Sequence, residues 1–122
     1  RESADFLVIG SGVAGLRAAA TLAAHGTVLV LTKAGEPAES NTGYAQGGIA
    51  AAVGADDSPG LHASDTEAAG DGLCHAEAVR LLVTEGPHYV RELAAWGVRF
   101  DREPDGEFSL GREGAHSVRR VL

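Results

Sequence analysis

Phe6-Leu7-Val8-Ile9 is a short unbroken apolar run, the pattern of a strand buried on both faces. A glycine-rich stretch follows, and Val13 to Ala24 is then alanine-rich with Leu16 and Leu22. That composition predicts a helix ending near His25-Gly26. Thr27 to Thr32 reads as a second buried strand. Strand, helix and strand within about 30 residues make a βαβ unit with a right-handed crossover.

Residues 34–60 have no clear period. Gly35, Pro37, Gly43, Gly47, Gly48, Gly54, Pro59 and Gly60 punctuate them, and a loop this long in one domain is functional or disordered. Ala50 to Val53 could start a short helix or strand. Leu61 to Ala69 is expected to be helical, with Gly70-Asp71-Gly72 as its stop. From His75 to Glu85 the residues Ala78, Val79, Leu82 and Val83 fall on one helical face. Gly86-Pro87 is expected to break that helix, and a further helix should run from Pro87 to Trp96 with Gly97 after its end. Val98 to Asp101 resembles a strand, and Pro104-Asp105-Gly106 a turn. Residues 107–118 are weakly patterned. Trp96 is expected in the core, Cys74 as a buried small hydrophobe, and His25 and His88 at the surface.

Composition narrows the classes. The chain is 44% apolar and 22% charged, within the globular range, and its 17 glycines in 122 residues are about twice the usual share. A formal net charge of −7 argues against nucleic acid or an anionic membrane as the main partner. The single cysteine excludes an intrachain disulfide. No apolar run approaches the ~18 residues of a membrane span, so a cytoplasmic protein is expected. The chain opens on Arg1 and closes on Val121-Leu122 inside an apolar-periodic segment, so it is expected to be part of a longer protein.

Gly10-Ser11-Gly12-Val13-Ala14-Gly15 fits G-x-G-x-x-G between a strand and a helix. Gly10 allows the tight turn, Gly12 lets a pyrophosphate approach the backbone, and Gly15 lets helix and strand pack closely. Phosphate would then sit on the positive end of the helix dipole. The acid expected at the end of the second strand, to accept from ribose hydroxyls, is absent: the strand ends Leu31-Thr32-Lys33, and Glu36 lies beyond it. Either Thr32 and Lys33 hold the ribose, or the turn binds no nucleotide.

The segment Ser40-Asn41-Thr42-Gly43-Tyr44-Ala45-Gln46-Gly47-Gly48-Ile49-Ala50 bears on that choice. Its hydroxyl and amide side chains could donate to flavin ring atoms, and Gly47-Gly48 would let backbone amides approach the ring. A mobile surface loop is the plain alternative, although Tyr44, Ile49 and the alanines argue for burial. Here the chain resembles the flavoprotein subunits of the succinate dehydrogenase and fumarate reductase family, which share the Ser/Thr-Lys strand end and the A-Q-G-G-I loop. Respiratory members carry a histidine in this loop that bonds the flavin covalently. Asn41 stands there instead, so the resemblance implies a dissociable FAD.

Arg112-Glu113-Gly114-Ala115-His116-Ser117-Val118-Arg119-Arg120-Val121-Leu122 is similar to the R-E-G-G-H-S-x-R-R-I-L pattern of the L-aspartate oxidase branch, with Ala115 replacing a glycine. Aspartate differs from succinate by an α-ammonium, and Glu113 could orient that cation. A solvated charged turn is the alternative. His62-Ala63-Ser64-Asp65-Thr66 and Gly70-Asp71-Gly72-Leu73-Cys74 also match the family and are expected to be scaffold. The spacing of His62, Asp65, Cys74 and His75 fits no zinc pattern, and no metal is expected.

The resemblance implies an α/β fold, the start of a three-layer, Rossmann-like FAD domain. Residues 1–122 would be its N-terminal part, without the capping and C-terminal helical domains. The implied reaction is oxidation of L-aspartate to iminoaspartate in NAD biosynthesis, with oxygen or fumarate as acceptor and a possible hand-over to quinolinate synthase. FAD would be held by Gly10, Ser11, Gly12, Val13, Ala14, Gly15, Thr32, Lys33 and the run from Ser40 through Asn41, Thr42, Gly43, Tyr44, Ala45, Gln46 and Gly47 to Gly48, with Glu113 orienting substrate. The family's other substrate-binding Arg and His residues would lie beyond Leu122, so this chain alone should not be an active oxidase. The alternatives are a fumarate reductase or succinate dehydrogenase flavoprotein, against which Asn41 and Glu113 speak, and a non-catalytic nucleotide-binding module.

Overall fold

The computed structural model describes residues 3–36, 39–45 and 48–122. The elements in order are β1 (Phe6–Ile9), α1 (Val13–Leu22), β2 (Val28–Leu31), α2 (Asn41–Tyr44), α3 (Pro59–Gly70) and α4 (Ala76–Ala95). They divide into two units, Arg1–Gly47 and Gly48–Leu122.

In the first unit β1 and β2 pair in parallel, in register from Phe6↔Val28 to Ile9↔Leu31. Asp5 pins the start of this register. Its Oδ2 accepts from both the amide and the hydroxyl of Thr27, at 2.8 Å each, and these bonds hold the Asp5 carboxyl below its ordinary value. At the other end the Gly10 amide donates to the Leu31 carbonyl at 2.8 Å. α1 packs against both strands. Alternation of side chains then separates two faces. Val8 is buried and Phe6, Val28 and Val30 are half-buried, whereas Leu7, Ile9, Leu29 and Leu31 are exposed.

In the second unit α3 packs on α4. Ser58 caps α3 by accepting from the Leu61 amide at 3.1 Å, and Pro59 occupies the first turn, where its missing N–H costs nothing. The helix ends on left-handed Asp71 (φ 46°), followed by Gly72, where the expected stop lies.

The expected break at Gly86-Pro87 does not occur. α4 runs unbroken for 20 residues with Pro87 inside it. Proline there removes one helical hydrogen bond at ~3 kcal/mol or more. Pro87 is however buried in a stripe with Val79, Val83 and Val90, and each buried valine contributes roughly 1.5–3 kcal/mol. Packing therefore overrides the local signal. The far end is as expected: Gly97 (φ 100°) follows the cap, its amide donates to the Ala94 carbonyl, and the Val98 amide reaches back to Leu93.

Other expectations are corrected. Trp96 is 56% exposed rather than in the core, because the buried stripe of α4 passes through Val90 on another face. Cys74 is half-buried, with its thiol donating to the Thr66 carbonyl at 3.5 Å. Val98 to Asp101 forms no strand. Its backbone feeds a tight turn, closed by an Arg102↔Phe108 bridge and by the Gly106 amide donating to the Glu103 carbonyl. His25 and His88 are exposed, as expected. Ala50, which could have begun an element, makes an isolated antiparallel bridge to Val121, and Val121 bridges Gly111 on its other side. No helix among the described residues is long and apolar enough to cross a membrane.

Candidate functional site

The first unit holds a cleft of about 730 Å³, within the size range of small-molecule sites. Gly10, Ser11 and Gly12 of the glycine-rich turn, Thr32 and Lys33 after β2, and Ser40, Asn41, Thr42 and Tyr44 of the polar loop all line it. Local conformation explains how the turn reaches the cleft. Gly10 has φ 106°, which a residue with a side chain rarely adopts. Gly15 lies on the helix where a Cβ would collide with the Gly10 carbonyl, so only glycine lets α1 start this close to the strand end. Gly15 thus acts through packing, and it and its neighbours Val13 and Ala14 are not lining residues.

Hydrogen bonds hold the parts together. The buried Ser11 hydroxyl donates to Thr32 Oγ1 at 3.2 Å, tying the turn to the end of β2. Thr42 Oγ1 accepts from the Val13 amide at 3.1 Å, docking the polar loop on the first turn of α1. That turn carries no acidic residue, so nothing there opposes the helix dipole's attraction for an anion. Ser40 caps the short α2 by accepting from Gly43 at 3.3 Å. Gly43 and Ala45 belong to the same loop but do not line the cleft.

Tyr44 is 73% exposed and Ile49 44%, so the burial expected for them is not present in this chain. Gln46 and Gly47 lie outside the described residues. Glu39 on the cleft wall was missed by the sequence reading. Glu36, the acid nearest the end of β2 in sequence, is exposed and does not line the cleft.

The second unit contains Gly48 and Glu113. A Cβ on Gly48 would collide with the Leu122 carbonyl, so glycine is required there by close chain approach. Glu113 is exposed, in a loop where its carbonyl accepts from the His116 amide at 3.0 Å and Arg112 Nε donates to the His116 carbonyl at 2.9 Å. The sequence reading also missed what lies beside this loop. Arg120 is fully buried. Its Nε and Nη2 bind the two oxygens of Asp57 at 2.9 and 3.0 Å, and its Nη1 binds Asp65 Oδ2 at 2.8 Å. The Asp65 carboxyl is held below its ordinary value, first by hydrogen bonds from the Ser117 amide and hydroxyl and then by Arg120.

His62 is buried and meets His116 edge-on at 6.0 Å between ring centres. Among the described residues neither of their Nδ1 atoms has a hydrogen-bond partner. Burial lowers the His62 pKa, as do the charge of Arg120 and the neighbouring His116, against the opposing pull of Asp57 and Asp65. His62 and Asp65, expected as scaffold, are thus part of one buried polar cluster.

Residues 5–122 match the FAD binding domain family. The chain is 56% identical over 118 residues to "L-aspartate oxidase 2-a, chloroplastic" of Nicotiana tabacum, a match covering 97% of this chain and 18% of that protein. It is 52% identical to the L-aspartate oxidase of Caulobacter vibrioides, covering 94% of this chain and 23% of that one. The chain therefore spans about a fifth of the length of these relatives. Among solved structures, FrdA of E. coli quinol fumarate reductase superposes with a TM-score of 0.86 at 36% identity, covering 97% of this chain and 20% of that one. The Mycobacterium smegmatis Sdh1 complex superposes at 0.87 and 38%, covering 99% and 21%.

Proposed function

The chain belongs to the FAD binding domain family, and on that premise we propose that it forms part of an FAD-dependent enzyme oxidising L-aspartate to iminoaspartate in NAD biosynthesis. The observation carrying this reading is identity of 52–56% to proteins named L-aspartate oxidase along nearly the whole chain.

The residues present fit an FAD. The cleft lies within the size range of small-molecule sites, the first turn of α1 carries no acidic side chain, and Gly10, Gly12 and Gly15 keep side chains out of the turn. In this reading Gly10, Ser11 and Gly12, which line the cleft, would hold the pyrophosphate at the start of α1, whose Val13 amide is already taken by Thr42. Thr32 and Lys33 would hold the adenosine ribose, and Ser40 to Gly48 would hold the flavin. Asn41 cannot form a covalent bond to the flavin, so the cofactor dissociates. When bound, FAD supplies the hydride acceptor for the substrate Cα. Glu113 supplies an anion for the α-ammonium, the group that separates aspartate from succinate.

The bare apolar face formed by Leu7, Ile9, Leu29 and Leu31 supports a three-layer, Rossmann-like domain, since a parallel sheet is normally covered on both sides. Capping and helical domains bearing further Arg and His substrate residues would complete the enzyme. A cytoplasmic location follows for a bacterial protein of this kind, while the tobacco relative is named chloroplastic. Hand-over of product to quinolinate synthase belongs to the same reading. A fumarate reductase or succinate dehydrogenase role is the second reading, favoured by the structural superpositions and disfavoured by Asn41 and Glu113.

The test is the full-length protein. It should purify yellow, release free FAD on acid denaturation, and consume L-aspartate with formation of peroxide or reduction of fumarate. Flavin retained on the denatured chain, or oxidation of succinate in preference to aspartate, would move the assignment to the second reading. Glu113→Gln should lower kcat/KM for aspartate roughly ten- to a hundredfold, the effect of losing one charged hydrogen-bond partner. It should leave succinate binding little changed. Equal effects on both ligands would return Glu113 to a solvent-facing role.

A further inference from the structure

We infer that Arg120 is a positioning residue that holds the Glu113 loop and the end of the flavin loop in one fixed arrangement; the inference rests on the roles proposed above for those two segments. The backbone around Arg120 joins them. The Ala51 amide donates to the Arg120 carbonyl at 2.9 Å, and Ile49 and Leu122 exchange hydrogen bonds at 3.2 and 3.0 Å. Residues 49–51, where the flavin loop ends, are thus zipped to residues 120–122. On the other side the Arg120 and Val121 amides donate to the Gly111 carbonyl at 3.0 and 3.1 Å, and the Gly111 amide returns to Val121 at 2.7 Å. These bonds close residues 112–119 into a loop whose two ends meet, with Glu113 inside it.

Backbone bonds of this kind fix the loop's base but not its register against the helix beneath. The side chain of Arg120 does that. Its guanidinium engages Asp57 through a two-pronged contact and Asp65 on α3 through its third nitrogen. Asp65 Oδ2 also receives the Ser117 amide and hydroxyl, at 2.8 Å each. The loop is therefore anchored to α3 at two points, Ser117 and Arg120, by one carboxylate. A planar five-donor cation matches two carboxylates in a way that an ammonium cannot. With no solvent access to the Arg120 side chain, water cannot replace a lost contact.

The experiment uses the full-length holoenzyme carrying Arg120→Lys or Ser117→Ala, with FAD content matched to wild type. Arg120→Lys should raise KM for aspartate about tenfold or more, with kcat changing much less, because substrate orientation by Glu113 is what loosens. It should also shift the visible absorption or circular dichroism of bound FAD, since the end of the flavin loop moves with residues 120–122. Ser117→Ala, which keeps the backbone bond to Asp65, should show the same signature at smaller size. Folded Arg120→Lys with wild-type KM and flavin spectrum would overturn the inference, as it would mean the cluster only stabilises. If Arg120→Lys does not fold, wild-type KM and spectrum in Ser117→Ala overturn it equally. Failure of the wild-type enzyme to bind FAD or oxidise aspartate is a different result, and it would sink the proposed function instead.

Discussion

The two units treat their side chains in opposite ways. In the first, the strands are almost wholly apolar, yet among its described hydrophobic residues only Val8 is buried, and Leu7, Ile9, Leu29 and Leu31 stay exposed on one face. Its organisation comes from backbone geometry and short polar side chains: a parallel register, a left-handed glycine, an Asp5 carboxylate on Thr27 and a hydroxyl on a helix amide. In the second, Ala51, Val79, Val83 and Val90 are buried together with polar His62 and Arg120. Its organisation comes from side chains distant in sequence. A unit shaped by backbone suits a ligand recognised by amides, whereas a unit clamped by a buried cation suits holding a loop still.

The sharpest way to break this contrast is to remove the cation. Arg120→Met leaves Asp57 and Asp65 buried without their counter-charge, and the cost of orphaning such groups is about 3–5 kcal/mol. Hydrogen exchange should then show α3 and α4 losing protection while β1 and β2 keep theirs. Equal loss in both units, or none, would mean that the cluster is not what organises residues 48–122.

The reciprocal substitution belongs to the first unit. Gly15→Ala sets a methyl against the Gly10 carbonyl, and relief requires the turn to move, at a cost of roughly 1–3 kcal/mol. FAD affinity of the full-length protein should fall at least tenfold, with protection of α3 and α4 unchanged. Unaltered FAD affinity would show that the close approach of α1 to the turn is not needed for binding.

A smaller effect is expected at Thr42, whose hydroxyl satisfies the Val13 amide. Thr42→Val keeps the shape and removes the acceptor, costing about 1 kcal/mol at the helix start. Protection of the first turn of α1 should fall, and Thr42→Ser should restore it. If serine fails to rescue, the methyl and not the hydroxyl secures the loop.

These sites also mark where the sequence could be read. The βαβ unit was legible because apolar runs, a glycine-rich turn and an alanine-rich helix are all local signals. The ends of α3 and α4 were legible for the same reason, at Asp71 and Gly97. Pro87 misled because its local penalty is visible in the sequence, while the burial of Val79, Val83 and Val90 that outweighs it depends on α3. Trp96 misled because a large apolar residue carries no record of which helix face is covered. The Arg120 cluster left no pattern at all: its partners lie 63 and 55 residues earlier. The glycine-rich turn and the polar loop stand out in the sequence and line the cleft, whereas Glu39 lies in no motif and beyond both the end of β2 and Glu36.

The mildest test of the contrast is pH, and it falls on His62. Its pKa is lowered from 6.5, chiefly by burial and then by Arg120, with His116 adding to the effect and Asp57 and Asp65 opposing it. The folded state thus favours neutral His62 more than the unfolded state does. Above the unfolded value the corresponding stability is fully present, and it is lost as pH falls through the folded value. Asp65 acts in a lower window. Its carboxyl is held below 3.8 by Ser117 and Arg120, so its contribution persists until strongly acid pH. Protection of α3 and α4 should therefore decline through His62 as pH falls below 6.5, ahead of the Asp65 carboxylate. The strands of the first unit, where Asp5 is the group with a lowered pKa, should stay level over that range. His62→Asn removes the titration and should flatten the decline, even if the variant is less stable throughout. An unchanged slope in that variant would assign the pH response to another group, and His62 would then be a neutral buried ring at every pH tested.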